Sequence, residues 1–99
     1  MHKLNIGING FGRIGRTLFR LLQAHENLNV VAINDLADTR TLSHLLKYDS
    51  IHGTSPHDIS HDEEHIIVNG NAISLYNESH PSKINWSLTA VDVVIECTG

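Results

Sequence analysis

The chain has 99 residues, 18% of them charged, and a formal net charge of −4. That length holds one domain with a thin stability margin, and the acidic balance excludes a nucleic-acid partner held by charge. The lone cysteine, Cys97, excludes an internal disulfide framework. No apolar run reaches membrane-spanning length, and residues 1–8 are too short and too polar for a signal peptide, so a soluble cytoplasmic protein is expected.

Lys3 to Ile8 reads as a first strand, continuously apolar from Ile6 to Ile8 apart from Gly7, as a buried parallel strand is. Asn9-Gly10-Phe11-Gly12-Arg13-Ile14-Gly15 follows at once, with three glycines in the spacing G-x-G-x-x-G. The reason for that spacing lies in the backbone. A strand must end and a helix begin within a few residues. Gly10 can take the dihedrals of so tight a turn, Gly12 lets a pyrophosphate approach the main chain, and Gly15 lets the helix lie close on the sheet. The first N–H groups of that helix have no partner inside it and point at the phosphates, with the positive end of the helix dipole behind them.

The helix is expected from about Phe11 to His25. Its apolar face reads as Ile14, Leu18, Leu21 and Leu22, and its polar face as Arg13, Arg16, Thr17, Arg20 and Gln23. Arg13, Arg16 and Arg20 then form a solvated face. Leu28 to Ile33 is a second strand, ending in Asn34-Asp35. Asp35 lies 20 residues after Gly15, the interval at which an acid meets the adenine ribose of a dinucleotide.

Asp38 or Thr39 can cap a second helix whose apolar face is Leu42, Leu45 and Leu46, ending near Tyr48 before a turn-rich stretch at 49–53. Residues 54–65 carry no regular pattern, and Pro56 blocks a helix around it. Two short strands, Ile66 to Val68 and Ala72 to Tyr76, flank Asn69-Gly70, a hairpin signal because both residues tolerate positive φ. Pro81 to Trp86 reads as a short helix with proline in its first turn, and Trp86 as a cover over the core. Val91 to Glu96 is a last strand at a sheet edge, apolar and without proline or lysine, so self-association is expected.

The fold class is therefore α/β: a partial Rossmann fold, mostly parallel and doubly wound, with an inserted β-hairpin. In such sheets ligands sit beyond the carboxyl ends of the strands. Three strand ends should converge there: Gly10 to Gly15, Asn34 to Leu36, and Cys97 to Gly99.

At this point the residues resemble a known family. Ile8 to Arg16, Val31 to Asp35, Leu45-Leu46-Lys47-Tyr48-Asp49-Ser50, His52-Gly53, the Asn69-Gly70 hairpin, Pro81 to Ile84 and Thr98-Gly99 are similar, in order, to the N-terminal NAD-binding part of phosphorylating glyceraldehyde-3-phosphate dehydrogenase. The first and third of these pieces go beyond a generic dinucleotide fingerprint. The resemblance implies an oxidoreductase of glycolysis that uses NAD and assembles as a homo-oligomer, a tetramer in full-length members. It places Asn9, Gly10, Phe11, Gly12, Arg13, Ile14 and Gly15 at the cofactor, the backbone of Arg13 and Ile14 at its pyrophosphate. Asn34, Asp35 and Leu36 are also expected at the cofactor, with Asp35 accepting from the adenine ribose hydroxyls. Glu78, Ser79, Cys97, Thr98 and Gly99 are expected to border the adenosine end. Many members carry arginine at the position of Ser79.

The family's nucleophilic cysteine, histidine base and phosphate-holding residues match nothing in this chain. Cys97 falls at the cofactor loop, so no catalytic residue is assigned and the chain alone is expected to be inactive. Residues 1–99 then resemble a truncated dinucleotide-binding domain without its catalytic domain, and the aldehyde phosphate binds only in the full-length enzyme. A fragment of erythrose-4-phosphate dehydrogenase, which shares this architecture, and a non-catalytic nucleotide-binding or interaction module are the alternatives. The eight histidines include His57, His61 and His65, spaced by four. On a helix that spacing would suit a metal, but Pro56 and the strand after His65 argue against a helix, so exposed surface without a metal is expected.

Overall fold

The computed structural model describes residues 3–48 and 58–98. The strands are β1 (Leu4–Asn9), β2 (Leu28–Asn34), β3 (Ile59–His61), β4 (His65–Val68), β5 (Asn71–Tyr76) and β6 (Val93–Glu96); the helices are α1 (Arg13–Gln23) and α2 (Thr39–Tyr48). They form one sheet in the order β3-β4-β5-β2-β1-β6. β1 pairs in parallel with β2 and β6, and β2 in parallel with β5, while β3-β4-β5 is an antiparallel meander. The mostly parallel sheet and the inserted hairpin are as expected from the sequence. β6 lies at an edge of the sheet among the described residues.

Along β1 burial deepens toward the carboxyl end, and Ile6 and Ile8 join Val30, Ile33, Phe19, Leu22, Leu42 and Leu46 in one core. Each large side chain buried there contributes roughly 1.5–3 kcal/mol. Phe11 and Phe19 meet edge to face, ring centroids 5.8 Å apart. The opposite side of β1 is Gly7, where a Cβ would lie 2.7 Å from the Trp86 ring, so the indole lies directly on the strand. Trp86 also meets Tyr76 edge to face at 5.6 Å, in line with its expected role as a cover.

The helix face of α1 differs from the sequence reading. Gly15, Arg16, Phe19 and Leu22 are buried, while Ile14 and Leu21 are 69% and 62% exposed. The close seat of Gly15 on the turn sets the rotation of the helix, and Phe19 one turn later follows it into the core. Arg16 is correspondingly buried rather than solvated, and its guanidinium donates to the Phe11 carbonyl at 3.0 Å. Arg20 reaches across to donate to the Leu46 carbonyl at 2.8 Å, tying α1 to the last turn of α2. Cations suit that end of a helix, where carbonyls lack partners.

Asp38 caps α2: its Oδ1 accepts from the Thr41 N–H at 2.8 Å. Leu42 and Leu46 are buried and Leu45 is at the margin. The hairpin turn has φ of 52° at Asn69 and 83° at Gly70, the left-handed pair that a two-residue turn between twisted strands requires. β3 appeared nowhere in the periodicity, because a three-residue edge strand gains its order from β4 rather than from its own pattern. The expected helix at Pro81 to Trp86 is two 3-10 turns, Pro81–Lys83 and Trp86–Thr89, and β6 starts two residues later than expected. The turn-rich stretch at 49–53 and His57 lie outside the described residues.

Candidate functional site

Three parallel strands end level with one another. Asn9 of β1 is the register partner of both Asn34 of β2 and Glu96 of β6. The segments leaving those ends are stitched together: the Gly10 N–H donates to the Asn34 carbonyl at 2.8 Å, and the Cys97 N–H to the Asn9 carbonyl at 2.7 Å. Between them opens a cleft of about 370 Å³, lined by Asn9, Gly10, Gly12, Asn34, Asp35, Leu36, Glu78, Ser79, Cys97 and Thr98. The convergence expected from topology is thus present. Phe11, Arg13, Ile14 and Gly15 are not among the lining residues, and Gly99 lies outside the described residues.

The three glycines have different tasks. Gly10 has φ +96°, and a Cβ on it would lie 2.8 Å from the Thr98 nitrogen. A Cβ on Gly15 would collide with the Gly10 carbonyl oxygen. Both are therefore demanded by the fold itself. Gly12 has φ −76° and ψ −161°, open to any residue, and nothing lies within 4 Å of a Cβ built there. Its bare backbone faces the opening. Gly12 is also the N-cap of α1, with no side-chain cap and no acidic residue in the first turn. Such a helix start presents N–H groups and a positive dipole end to an incoming anion.

Asp35 is held at the cleft by its neighbours. Oδ2 accepts from the Phe11 N–H at 2.8 Å and Oδ1 from the Ala37 N–H at 3.0 Å. Each oxygen keeps acceptor capacity toward a hydroxyl. Asn77 braces the same loop, donating through Nδ2 to the carbonyls of Asp35 and Ala37 at 2.8 and 3.1 Å. Phe11 contributes only backbone, since its ring is fully buried. The far wall is tied to β2 by Asn34, whose Nδ2 donates to the Glu78 carbonyl at 3.0 Å while its Oδ1 accepts from the Glu78 N–H at 2.9 Å. A backbone open to an anion beside a carboxylate poised for hydroxyls fits the pyrophosphate and ribose of a dinucleotide.

Cys97 is half-buried beside Gly15, and burial, with the Glu96 carboxylate as a lesser cause, pushes its thiol pKa up. A thiol so placed is a poor nucleophile. A larger cavity of about 770 Å³ lies between α2 and β3, lined by none of the glycine-turn residues. Among the described residues no group of three histidine, cysteine or carboxylate side chains comes together around a metal-sized space. His65 instead meets Asp62, Nδ1 to Oδ1 at 2.9 Å. No described helix is long and apolar enough to cross a membrane.

Two residues at the cleft escaped the sequence reading: Asn77, and Glu96, whose carboxylate receives the Asn9 amide. The available signal was a polar residue closing each of three apolar runs, at Asn9, Asn34 and Glu96.

Comparison with known proteins agrees with this geometry. The family described as glyceraldehyde 3-phosphate dehydrogenase, NAD binding domain, matches residues 4–99. Glyceraldehyde-3-phosphate dehydrogenase 1 of Bacillus cereus is 52% identical over 94 residues, which cover 95% of this chain and 28% of that protein. The enzyme of Buchnera aphidicola is 51% identical over 96 residues, covering 97% and 29%. That of Thermotoga maritima is 50% identical over 96 residues, covering 95% and 29%. The chain thus spans less than a third of the length of these relatives. The family match over residues 4–99 makes the chain a member of the NAD-binding domain family of glyceraldehyde-3-phosphate dehydrogenases.

Proposed function

We propose that the strand-end cleft holds the adenosine and pyrophosphate of NAD for a dehydrogenase that converts an aldehyde phosphate to an acyl phosphate. The observation that carries this reading is the arrangement around Gly12 and Asp35. Bare backbone opens to the cleft at the start of α1, and a carboxylate oriented by the Phe11 and Ala37 N–H groups stands beside it. In this reading the backbone of Gly12, Arg13 and Ile14 takes the pyrophosphate, and Asp35 accepts from the two ribose hydroxyls. Asn9, Gly10, Asn34 and Leu36 form the floor, and Glu78, Ser79, Cys97, Thr98 and Gly99 border the adenosine. Phe11 and Gly15 act by shaping the turn.

NAD, when bound, supplies the hydride acceptor. The chain's own part is to orient it and to choose it over NADP. A 2′-phosphate at Asp35 would meet a carboxylate, and no arginine occupies residues 36–38 to offset it. Like charges at that range weaken binding by a few kcal/mol, on the order of a hundredfold. No residue of this chain is assigned to the chemical step; residues 1–99 serve as the cofactor half, and the chemistry belongs to a separate catalytic domain. The same reading carries a homo-oligomeric, cytoplasmic enzyme. Calorimetric titration with NAD and NADP tests it. Tighter NAD binding that Asp35→Ala narrows supports the assignment; equal constants refute it.

A further inference from the structure

Beneath the cleft runs a chain of side-chain hydrogen bonds with a direction. A carboxylate can only accept. Both oxygens of Glu96 lie within reach of Asn9 Nδ2, at 3.0 and 2.8 Å, so Asn9 must turn its NH2 toward β6 and its carbonyl oxygen toward β2. Asn34 answers by donating to that oxygen at 2.9 Å. Its own oxygen is then left for the Glu78 N–H, at 2.9 Å. Asn9 and Asn34 are 2% and 5% exposed, so water cannot replace a lost partner. Reversing either amide would set oxygen against oxygen at one end and NH against NH at the other. Only one polarity satisfies both the Glu96 carboxylate and the Glu78 backbone.

We propose that Glu96 is a positioning residue of the cofactor cleft. Its carboxylate sets the direction of the relay Glu96–Asn9–Asn34–Glu78 and thereby seats the Glu78–Ser79 wall opposite the Gly10 turn. Glu96 also accepts from Thr98 Oγ1 at 3.2 Å, so its carboxylate ties the segment after β6 to the end of β1, and Asn9 carries the tie on to β2. The inference rests on the assignment of this cleft to NAD for its effect on binding, but the relay itself is measurable without cofactor.

The test is a cycle in the 99-residue chain: wild type, Glu96→Gln, Asn9→Asp and the double variant, each titrated with NAD. Glu96→Gln replaces one of the two oxygens that face Asn9 Nδ2 with an NH2 and leaves a single, neutral acceptor, and roughly three- to tenfold weaker binding is expected. Asn9→Asp sets carboxylate against carboxylate and should be worse. Adding Glu96→Gln to Asn9→Asp restores a donor–acceptor pair, so there the same substitution should improve binding. This reversal of sign is not expected of a residue that merely adds stability. Glu96→Gln acting in the same direction in both backgrounds overturns the proposal. In parallel, the Glu78 backbone amide is followed by NMR without NAD. Its resonance should shift in Glu96→Gln and return toward the wild-type position in the double variant. An unmoved amide overturns the relay, and it decides alone if Asn9→Asp does not fold. Failure of the wild type to bind NAD would refute the cofactor assignment and leave the amide readout standing.

Discussion

Replacing Gly12 with alanine separates what the glycine turn does for the fold from what it does for the cofactor. At this position the backbone has φ −76° and ψ −161°, which alanine adopts, and the added methyl meets no atom within 4 Å. Alanine is a poorer N-cap than glycine by about 0.5–1 kcal/mol. Stiffening the unfolded chain returns about 0.4–1 kcal/mol. The two nearly cancel, so the melting temperature should move by no more than about 4 °C. Cofactor binding has no such compensation. A methyl over the start of α1 holds the pyrophosphate away from the main chain. Loss of one charge-assisted hydrogen bond, about 1.5–3 kcal/mol, weakens NAD binding roughly 10- to 150-fold. Gly15→Ala should behave oppositely. Its methyl collides with the Gly10 carbonyl oxygen, which is backbone and cannot swing aside, so the fold itself gives way. Calorimetry for NAD and thermal melting of both variants make the comparison. Unchanged NAD affinity in Gly12→Ala would refute the reasoning, as would a loss of stability matching that of Gly15→Ala.

Acid should loosen α2 before the rest of the sheet. The Thr41 N–H, and then its hydroxyl, hold the Asp38 carboxyl below the usual carboxylate range, and the Glu64 N–H and then His65 do the same for Asp62. Groups with depressed values stabilise the folded state above the unfolded value of about 4 and lose that contribution as pH falls through the folded value. Circular dichroism against pH should show early helix loss that Asp38→Asn, a neutral cap, flattens; an identical acid profile in the variant counts against it. Cys97, raised by burial and Glu96, should alkylate more slowly than a free thiol at pH 8 and speed up on unfolding, and the chain alone should give no NADH from an aldehyde phosphate. Turnover abolished by Cys97→Ser would overturn that placement. At the sheet edge, Val93 and Val94 are 42% and 39% exposed on β6, so the isolated chain should self-associate with concentration and Val94→Lys should restore monomer on a sizing column. A wild-type chain that stays monomeric at high concentration contradicts it.

Local rules were enough for the elements that local rules build. The glycine spacing, the apolar runs of β1 and β2, the cap at Asp38 and the left-handed pair Asn69-Gly70 each depend on a few neighbouring residues, so each was legible in the sequence. So was the interval to Asp35, because strand, turn and helix lengths in a βαβ unit are constrained. The tertiary structure decided what no neighbour could. The seat of Gly15 on the Gly10 carbonyl turned α1 so that Arg16 and Phe19 faced inward and Ile14 and Leu21 outward, against the simplest apolar pattern. β3 exists because β4 offers it a partner. Asn9, Asn34 and Glu96 lie 25 and 62 residues apart in sequence, and they became one hydrogen-bonded row only when parallel pairing brought three strand ends level. Hydrophobic periodicity reports which residues leave water, but register and helix rotation are set by long-range contact, where buried donors and acceptors must match.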